Sequence, residues 1–268
     1  MGTIVHLSDL HFGRLDRRIL APLVAAINEL APDLVAISGD LTQRAGRRQF
    51  GDARAFLEAL PFPRLVVPGN HDVPLYDVAT RFLRPLARYR RFIAQDLEPL
   101  FLDREMVVLG LNSVRSLSFG RGRLNEPQVG RAADRLRALP PDLIRIVVTH
   151  HPFDLPADHD AGHLVGRANM AMAQLAAARA DVFLAGHLHV SHIGHTAERY
   201  KIAGHSALFV QAGTMSTRRR GEVNSFNVLR LDRPRLTVER RAWDEAVERF
   251  GESAARAFEH TERGWIDA

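Results

Sequence analysis

Short apolar runs recur along this chain at intervals that longer amphipathic stretches fill. Ile4-Val5-His6-Leu7, Leu34-Val35-Ala36-Ile37, Arg64-Leu65-Val66-Val67, Ile144-Arg145-Ile146-Val147-Val148 and Val182-Phe183-Leu184-Ala185 are rich in β-branched or aliphatic residues and end at Gly, Asp or Pro. Runs of that length and composition read as buried strands. Between them the spacing is helical. Arg18–Leu30 places Ile19, Leu20, Leu23, Val24 and Ile27 on one face, with Pro32 just past its end. Gln49–Leu60, Val78–Leu100, Glu126–Leu139 and Gly166–Ala178 carry similar patterns. Strand and helix therefore alternate. Later the character changes: Leu208-Phe209-Val210-Gln211, Ser225–Leu231 and Arg235–Glu239 are apolar runs separated by Gly or Pro turns, which predicts an antiparallel meander. Residues Trp243–Ala268 read as a helix and polar tail that could cover a sheet edge or pair with a second subunit in a homodimer. The sum is an α/β chain, with two mixed sheets packed face to face and helices outside.

Each early strand runs into a polar segment. In order these are Asp9-Leu10-His11, Gly39-Asp40, Gly69-Asn70-His71-Asp72, His150-His151-Pro152 and Gly186-His187-Leu188-His189. A single D-x-H triplet carries little information, since a buried, hydrogen-bonded His is commoner than a ligand. Five such segments, each at a strand end, converge on one edge of a sheet. Carboxylate, amide and imidazole donors suit Mn²⁺, Fe²⁺/Fe³⁺ and Zn²⁺, and the absence of Cys excludes a thiolate site.

This pattern, D-x-H, G-D, G-N-H-D, H and G-H-x-H, resembles that of the calcineurin-like metallophosphoesterases, and it is matched from Asp9 to His189 without a substitution. The resemblance implies a four-layer αββα sandwich and a two-metal site. Asp9, His11, Asp40 and His189 would bind one ion and Asp40, Asn70, His150 and His187 the other, with Asp40 bridging. A hydroxide shared by the ions would attack phosphorus in line. His71 would face the scissile phosphate and assist the leaving oxygen, and Asp72 could hold its ring in one tautomer. His151 is read as a neighbour of the site, not a ligand.

A chain of 268 residues, 46% hydrophobic, can bury one large core, and all five segments must meet, so a single unit is expected: residues 1–242 as the catalytic domain, with 243–268 appended. No signal-peptide pattern precedes the first strand and no apolar run approaches a membrane span, which reads as cytoplasmic. Basic charge is almost all Arg, Lys201 being the sole Lys. Arg81, Arg84, Arg88, Arg90 and Arg91 form one cluster, and Arg218-Arg219-Arg220 follow Ala212-Gly213-Thr214. A guanidinium suits bidentate phosphate contact, and Arg218 is the candidate for substrate binding. Such short blocks lack the basic stripe and stacking aromatics of a nucleic-acid binder, so no nucleic-acid partner is expected.

The expected reaction is hydrolysis of a small phosphodiester. His-His-Pro, the Gly122-Arg123-Leu124 region and Ala212-Gly213-Thr214 resemble small bacterial class III cyclic-nucleotide phosphodiesterases, which implies a 3′,5′-cyclic nucleotide. Two alternatives stay open. A lipid-precursor pyrophosphate or phospholipid headgroup hydrolase needs an apolar groove, for which Phe82, Leu83, Leu86, Tyr89 and Phe92 are candidates. A non-catalytic scaffold of the same fold would have lost a ligand.

Overall fold

A computed structural model describes residues 1–157, 159–200 and 206–268. Its strands are β1 (Gly2–Leu7), β2 (Leu34–Ile37), β3 (Arg64–Val66), β4 (Leu100–Leu102), β5 (Met106–Gly110), β6 (Ile144–Val148), β7 (Val182–Ala185), β8 (His192–His195), β9 (Leu208–Gln211), β10 (Ser225–Asp232), β11 (Arg235–Asp244), β12 (Arg249–Thr261) and β13 (Gly264–Asp267). The helices are α1 (Leu20–Leu30), α2 (Arg47–Glu58), α3 (Val78–Leu83), α4 (Ala87–Phe92), α5 (Glu126–Arg137), α6 (Ala168–Ala177) and α7 (Thr196–Tyr200).

Alternation along the strands builds the layers. Ile4, Leu34 and Ala36 of the first sheet meet Val108, Ile146, Val148 and Leu184 of the second in one buried seam. The intervening residues Val5, Leu7, Val35 and Ile37 point the other way, onto Leu23 and Ile27 of α1 and Phe50 and Phe56 of α2. Val147 and Phe183 likewise pack outward against Val129 of α5 and Met172 of α6. A strand buried on both faces needs apolar residues at every position, which is why these runs are continuous. Two sheets thus lie face to face between helices, as expected.

The first sheet has the order β13-β12-β11-β10-β1-β2-β3 and the second β4-β5-β6-β7-β9-β8. β1, β2 and β3 are parallel, as are β5, β6, β7 and β9. The strand at 208–211 therefore leaves the expected meander and joins the other sheet, parallel to β7. Consequently its C-terminal end points to the same edge as the ligand-bearing strands.

Two other expectations are corrected. The stretch from Val78 to Leu100 is not one helix: α3 ends at Leu83, Pro85 stands in the break, and α4 runs only from Ala87 to Phe92. Proline cannot donate an amide hydrogen bond and collides with the preceding turn. The C-terminal residues from Arg249 form strands and not a helix, pairing along the whole of β11. Ala254, Ala255 and Ala257 favour a helix locally, but the ladder offered by β11 overrides that preference. A register shift opposite Arg240/Arg241 leaves Ser253 unpaired and reverses the alternation. Phe250 therefore joins the outer core with Phe226 and Trp243, while Phe258 joins the inter-sheet seam. No helix among the described residues is long and apolar enough to cross a membrane.

Candidate metal centre

Every predicted donor lies in a loop just beyond a parallel strand: Asp9 and His11 after β1, Asp40 after β2, Asn70 after β3, His150 after β6, His187 and His189 after β7. The carboxyl ends of parallel strands are where such folds gather functional groups. The chain must turn sharply there to aim side chains inward. Asp9, His11, Asp40, His187 and His189 all take left-handed φ values, between 47° and 78°. Such conformations cost about 1–3 kcal/mol each and persist only where surroundings enforce them. Here loop clamps loop: Asp9 N–H donates to Gly39 O (3.1 Å), His11 N–H to Asp40 O (2.9 Å), Met215 N–H to Asp9 O (3.2 Å) and Gly186 N–H to His150 O (3.1 Å). Approach is so close that a Cβ at Gly69 would collide with the Asp40 amide and carboxylate, and one at Gly186 with Ser8 Oγ.

The donors form two groups that share one carboxylate. In the first, His11 Nε2 lies 3.0 Å from His189 Nε2, 3.5 Å from Asp9 Oδ1 and 3.6 Å from Asp40 Oδ2. In the second, Asn70 Oδ1 lies 3.0 Å from His150 Nε2 and 3.1 Å from His187 Nδ1, and His150 Nε2 lies 3.4 Å from Asp40 Oδ2. Asp40 Oδ1 meanwhile accepts the His71 amide (2.8 Å). All these groups are buried except Asn70 and His187, which are partly so.

Does this arrangement fit a cation? His189 Nδ1–H donates to Arg218 O (2.8 Å) and His150 Nδ1–H to Ser38 O (2.8 Å), which directs each Nε2 at the centre. That is the outer support that fixes ligand imidazoles. Asp9 Oδ1, fully buried, has no well-aligned hydrogen-bond donor among the described residues, with His189 Nε2 at 3.2 Å. Acceptors this close repel unless positive charge lies among them. The electrostatics agree: burial works to lower the pKa of His150, yet the Asp40 carboxylate outweighs it and lifts the ring to about 9. Burial would likewise raise Asp9 and Asp40, but the surrounding imidazoles hold both well below the usual carboxylate range. The donor set fits divalent ions.

His71 sits beside these groups, its ring 4.8 Å from that of His11. Its Nδ1–H donates to Gln43 O (2.9 Å), which leaves Nε2 facing the cleft, 3.3 Å from Arg218 Nη1. Burial lowers its pKa, with the Asp40 carboxylate opposing. Asp72 does not hold this ring, contrary to the expectation. Its carboxylate is buried and accepts from the backbone amides of Leu41, Thr42 and Gly69 and from Thr42 Oγ1. Tying the β2 and β3 loops together is its work. Burial, then the Asp40 charge, raises its pKa to about 6. His151 is buried beside the donors, its ring 4.7 Å from that of His187 and its Nδ1 2.8 Å from Ser113 Oγ.

A cleft of about 290 Å³ opens over Asp40, Asn70, His71, His187 and His189, walled by Phe119, Arg121, His163, Arg218 and Arg220. Of the walls, Arg218 and Arg220 belong to the Arg218-Arg219-Arg220 cluster, with Arg218 the expected substrate contact. Phe119 and Arg121 belong to the segment Phe119-Gly120-Arg121-Gly122, whose glycines mark a turn without saying what it faces. Arg44 was also missed; its Nη1 lies 3.2 Å from His71 Nδ1. The Arg81–Arg91 cluster stays out of the cleft: Arg81 is buried, donating to Pro74 O, and Arg88 pairs with Asp77. The proposed acyl groove divides too, since Leu86 and Tyr89 are core while Phe82 and Leu83 are exposed.

Comparison with known proteins places this geometry in context. Residues 2–191 match the family model for calcineurin-like phosphoesterases. A glycerophosphodiester phosphodiesterase GpdQ of Enterobacter lignolyticus is 34% identical over 96 residues, covering 31% of this chain and 33% of that protein. A probable glycerophosphodiester phosphodiesterase GpdQ of Arcobacter nitrofigilis is 26% identical over 183 residues, covering 63% and 64%. The match thus spans a third to just under two thirds of these relatives' lengths. Among solved structures, a dimetal phosphatase from Danio rerio superposes with a TM-score of 0.67 at 14% identity, covering 90% of this chain and 96% of that one. Purple acid phosphatase PPD1 from yellow lupin gives 0.73 at 13% identity, over 95% of this chain and 53% of that one. These last two share the fold. The family match, over more than half its length, shows that the chain belongs to the calcineurin-like phosphoesterases.

Proposed function

We propose that the cleft hydrolyses a small phosphodiester, with Asp9, His11, Asp40 and His189 holding one divalent ion and Asp40, Asn70, His150 and His187 a second. The observation that carries this reading is the pair of donor groups meeting at Asp40 Oδ2. Mn²⁺, Fe²⁺/Fe³⁺ and Zn²⁺ suit such O/N donors. Bound there, two ions supply Lewis acidity and lower the pKa of water enough to make it a nucleophile near neutral pH. The chain's own residues do the rest. Gln43 O fixes the Nδ1–H of His71, so any second proton resides on Nε2, the nitrogen that faces the cleft and serves the leaving oxygen. Arg218, adjacent to it, is placed to take a non-bridging phosphate oxygen.

The relatives' names favour a glycerophosphodiester as substrate, and the small cleft is compatible with that size. A 3′,5′-cyclic nucleotide is the competing small diester. With Mn²⁺ supplied, bis-p-nitrophenyl phosphate should be hydrolysed with higher kcat/KM than p-nitrophenyl phosphate, and glycerophosphodiesters faster than cyclic nucleotides. A clear preference for the monoester would overturn the reading. Arg218→Ala leaves the backbone carbonyl that supports His189 in place. Losing one charge-assisted hydrogen bond, worth about 1.5–3 kcal/mol, should raise KM for the diester roughly ten- to hundredfold. Unchanged constants would remove Arg218 from substrate binding.

A further inference from the structure

Tyr76, Val78, Phe82, Leu83, Leu117 and Phe119 are all exposed, Tyr76, Leu83 and Leu117 to 78, 79 and 81%. They lie on two segments only, α3 with its approach and the loop at 115–121. These segments touch: Arg81, from the buried side of α3, donates to Ser118 O (3.3 Å) and its guanidinium stacks 4.0 Å over the Phe119 ring. The two segments that carry the six are therefore neighbours, and Phe119 lies in the cleft wall. Exposed apolar side chains gathered in this way mark an interaction surface. Their chemistry is mixed with positive charge. Arg44 stands 5.9 Å from the Tyr76 ring, Arg84 is exposed at the end of α3, and Arg121, Arg218 and Arg220 line the mouth. All five are exposed, and none has a carboxylate within ion-pair distance among the described residues. Of the acids beside the patch, Asp77 is engaged by Arg88 and Thr80, and Asp160 borders the cleft near Arg121.

From this juxtaposition we infer that the protein docks on an anionic lipid surface through α3 and the 115–121 loop, presenting the mouth of the cleft to the headgroups. Aromatic and leucine side chains enter the interface, and unpaired guanidiniums around them meet lipid phosphates. Exposed apolar side chains ringed by exposed guanidiniums complement a surface that is both apolar and negatively charged, which sets an anionic bilayer apart from a neutral one. The docking holds whether or not a lipid is hydrolysed.

Vesicle flotation of the full chain tests it without reference to turnover. Phosphatidylcholine vesicles containing phosphatidylglycerol should carry the protein upward, phosphatidylcholine alone should not, and salt should reduce the bound fraction because the charges are exposed. Leu83→Ser with Leu117→Ser should lower binding at least about tenfold while leaving hydrolysis of soluble bis-p-nitrophenyl phosphate unchanged. Both residues are surface-exposed, so folding is preserved, and circular dichroism would verify that. Failure to float with anionic vesicles, flotation undiminished in the double variant, or a patch-dependent dimer with no vesicle binding would each overturn the inference. Loss of soluble diester hydrolysis in the parent would instead strike the proposed function alone.

Discussion

Asp40→Asn should lower kcat by roughly 10³-fold or more and reduce bound metal to at most one ion per chain. The magnitude follows from the place of this residue. Each ion contributes several kcal/mol of transition-state stabilisation, and about 1.4 kcal/mol is tenfold in rate. Oδ2 of Asp40 lies close to donors of both groups, 3.6 Å from His11 Nε2 and 3.4 Å from His150 Nε2. Asparagine keeps an acceptor for the His71 amide but loses the charge. The fold therefore survives while the shared carboxylate does not. Replacement of a terminal donor such as Asn70 should cost less. Equal losses for Asp40 and Asn70 variants would argue against sharing, and so would an Asp40→Asn protein that keeps two ions.

His71→Ala should behave differently, retaining its metal while kcat falls roughly 10²–10⁴-fold, the usual scale for general acid–base catalysis. Its ring hydrogen-bonds Gln43 O and faces Arg218, and its backbone amide, which alanine keeps, is what touches Asp40. The loss should shrink for p-nitrophenolate, which departs without a proton, and be largest for an alkoxide leaving group. Parallel losses for both leaving groups would make His71 a binding residue and not an acid. Diminished metal content would assign it to the coordination shell.

Much of this was legible in the chain because strand ends are legible. A continuous apolar run followed by Gly-Asp or Gly-His states where a buried strand stops, and parallel strands bring their carboxyl ends to one edge whatever the details between them. That logic brings Asp9, His11, Asp40, Asn70, His150, His187 and His189 together without knowledge of strand order. It failed where partners decide. Leu208–Gln211 looks the same in a meander as beside β7, and only pairing distinguishes them. The alanine-rich segment 254–257 is helical by propensity and a strand by contact with β11. Met106–Gly110 is fully buried, yet no polar ligand segment marks its end. Asp72 follows His71 in sequence but turns to the amides of Thr42 and Gly69, because a single 3-10 turn points successive side chains in different directions. The cleft wall was least visible. Phe119 and Arg121 come from one loop, His163 and Arg220 from two others, and no periodicity links them.

Metal content of the purified, reconstituted chain tests the central claim most directly. Two donor groups that share Asp40 require two equivalents of Mn²⁺, Fe or Zn²⁺ per chain, falling to one or none in Asp40→Asn with the secondary structure intact. A parent protein that saturates at one equivalent, or that hydrolyses phosphodiesters undiminished after complete chelation, would contradict it.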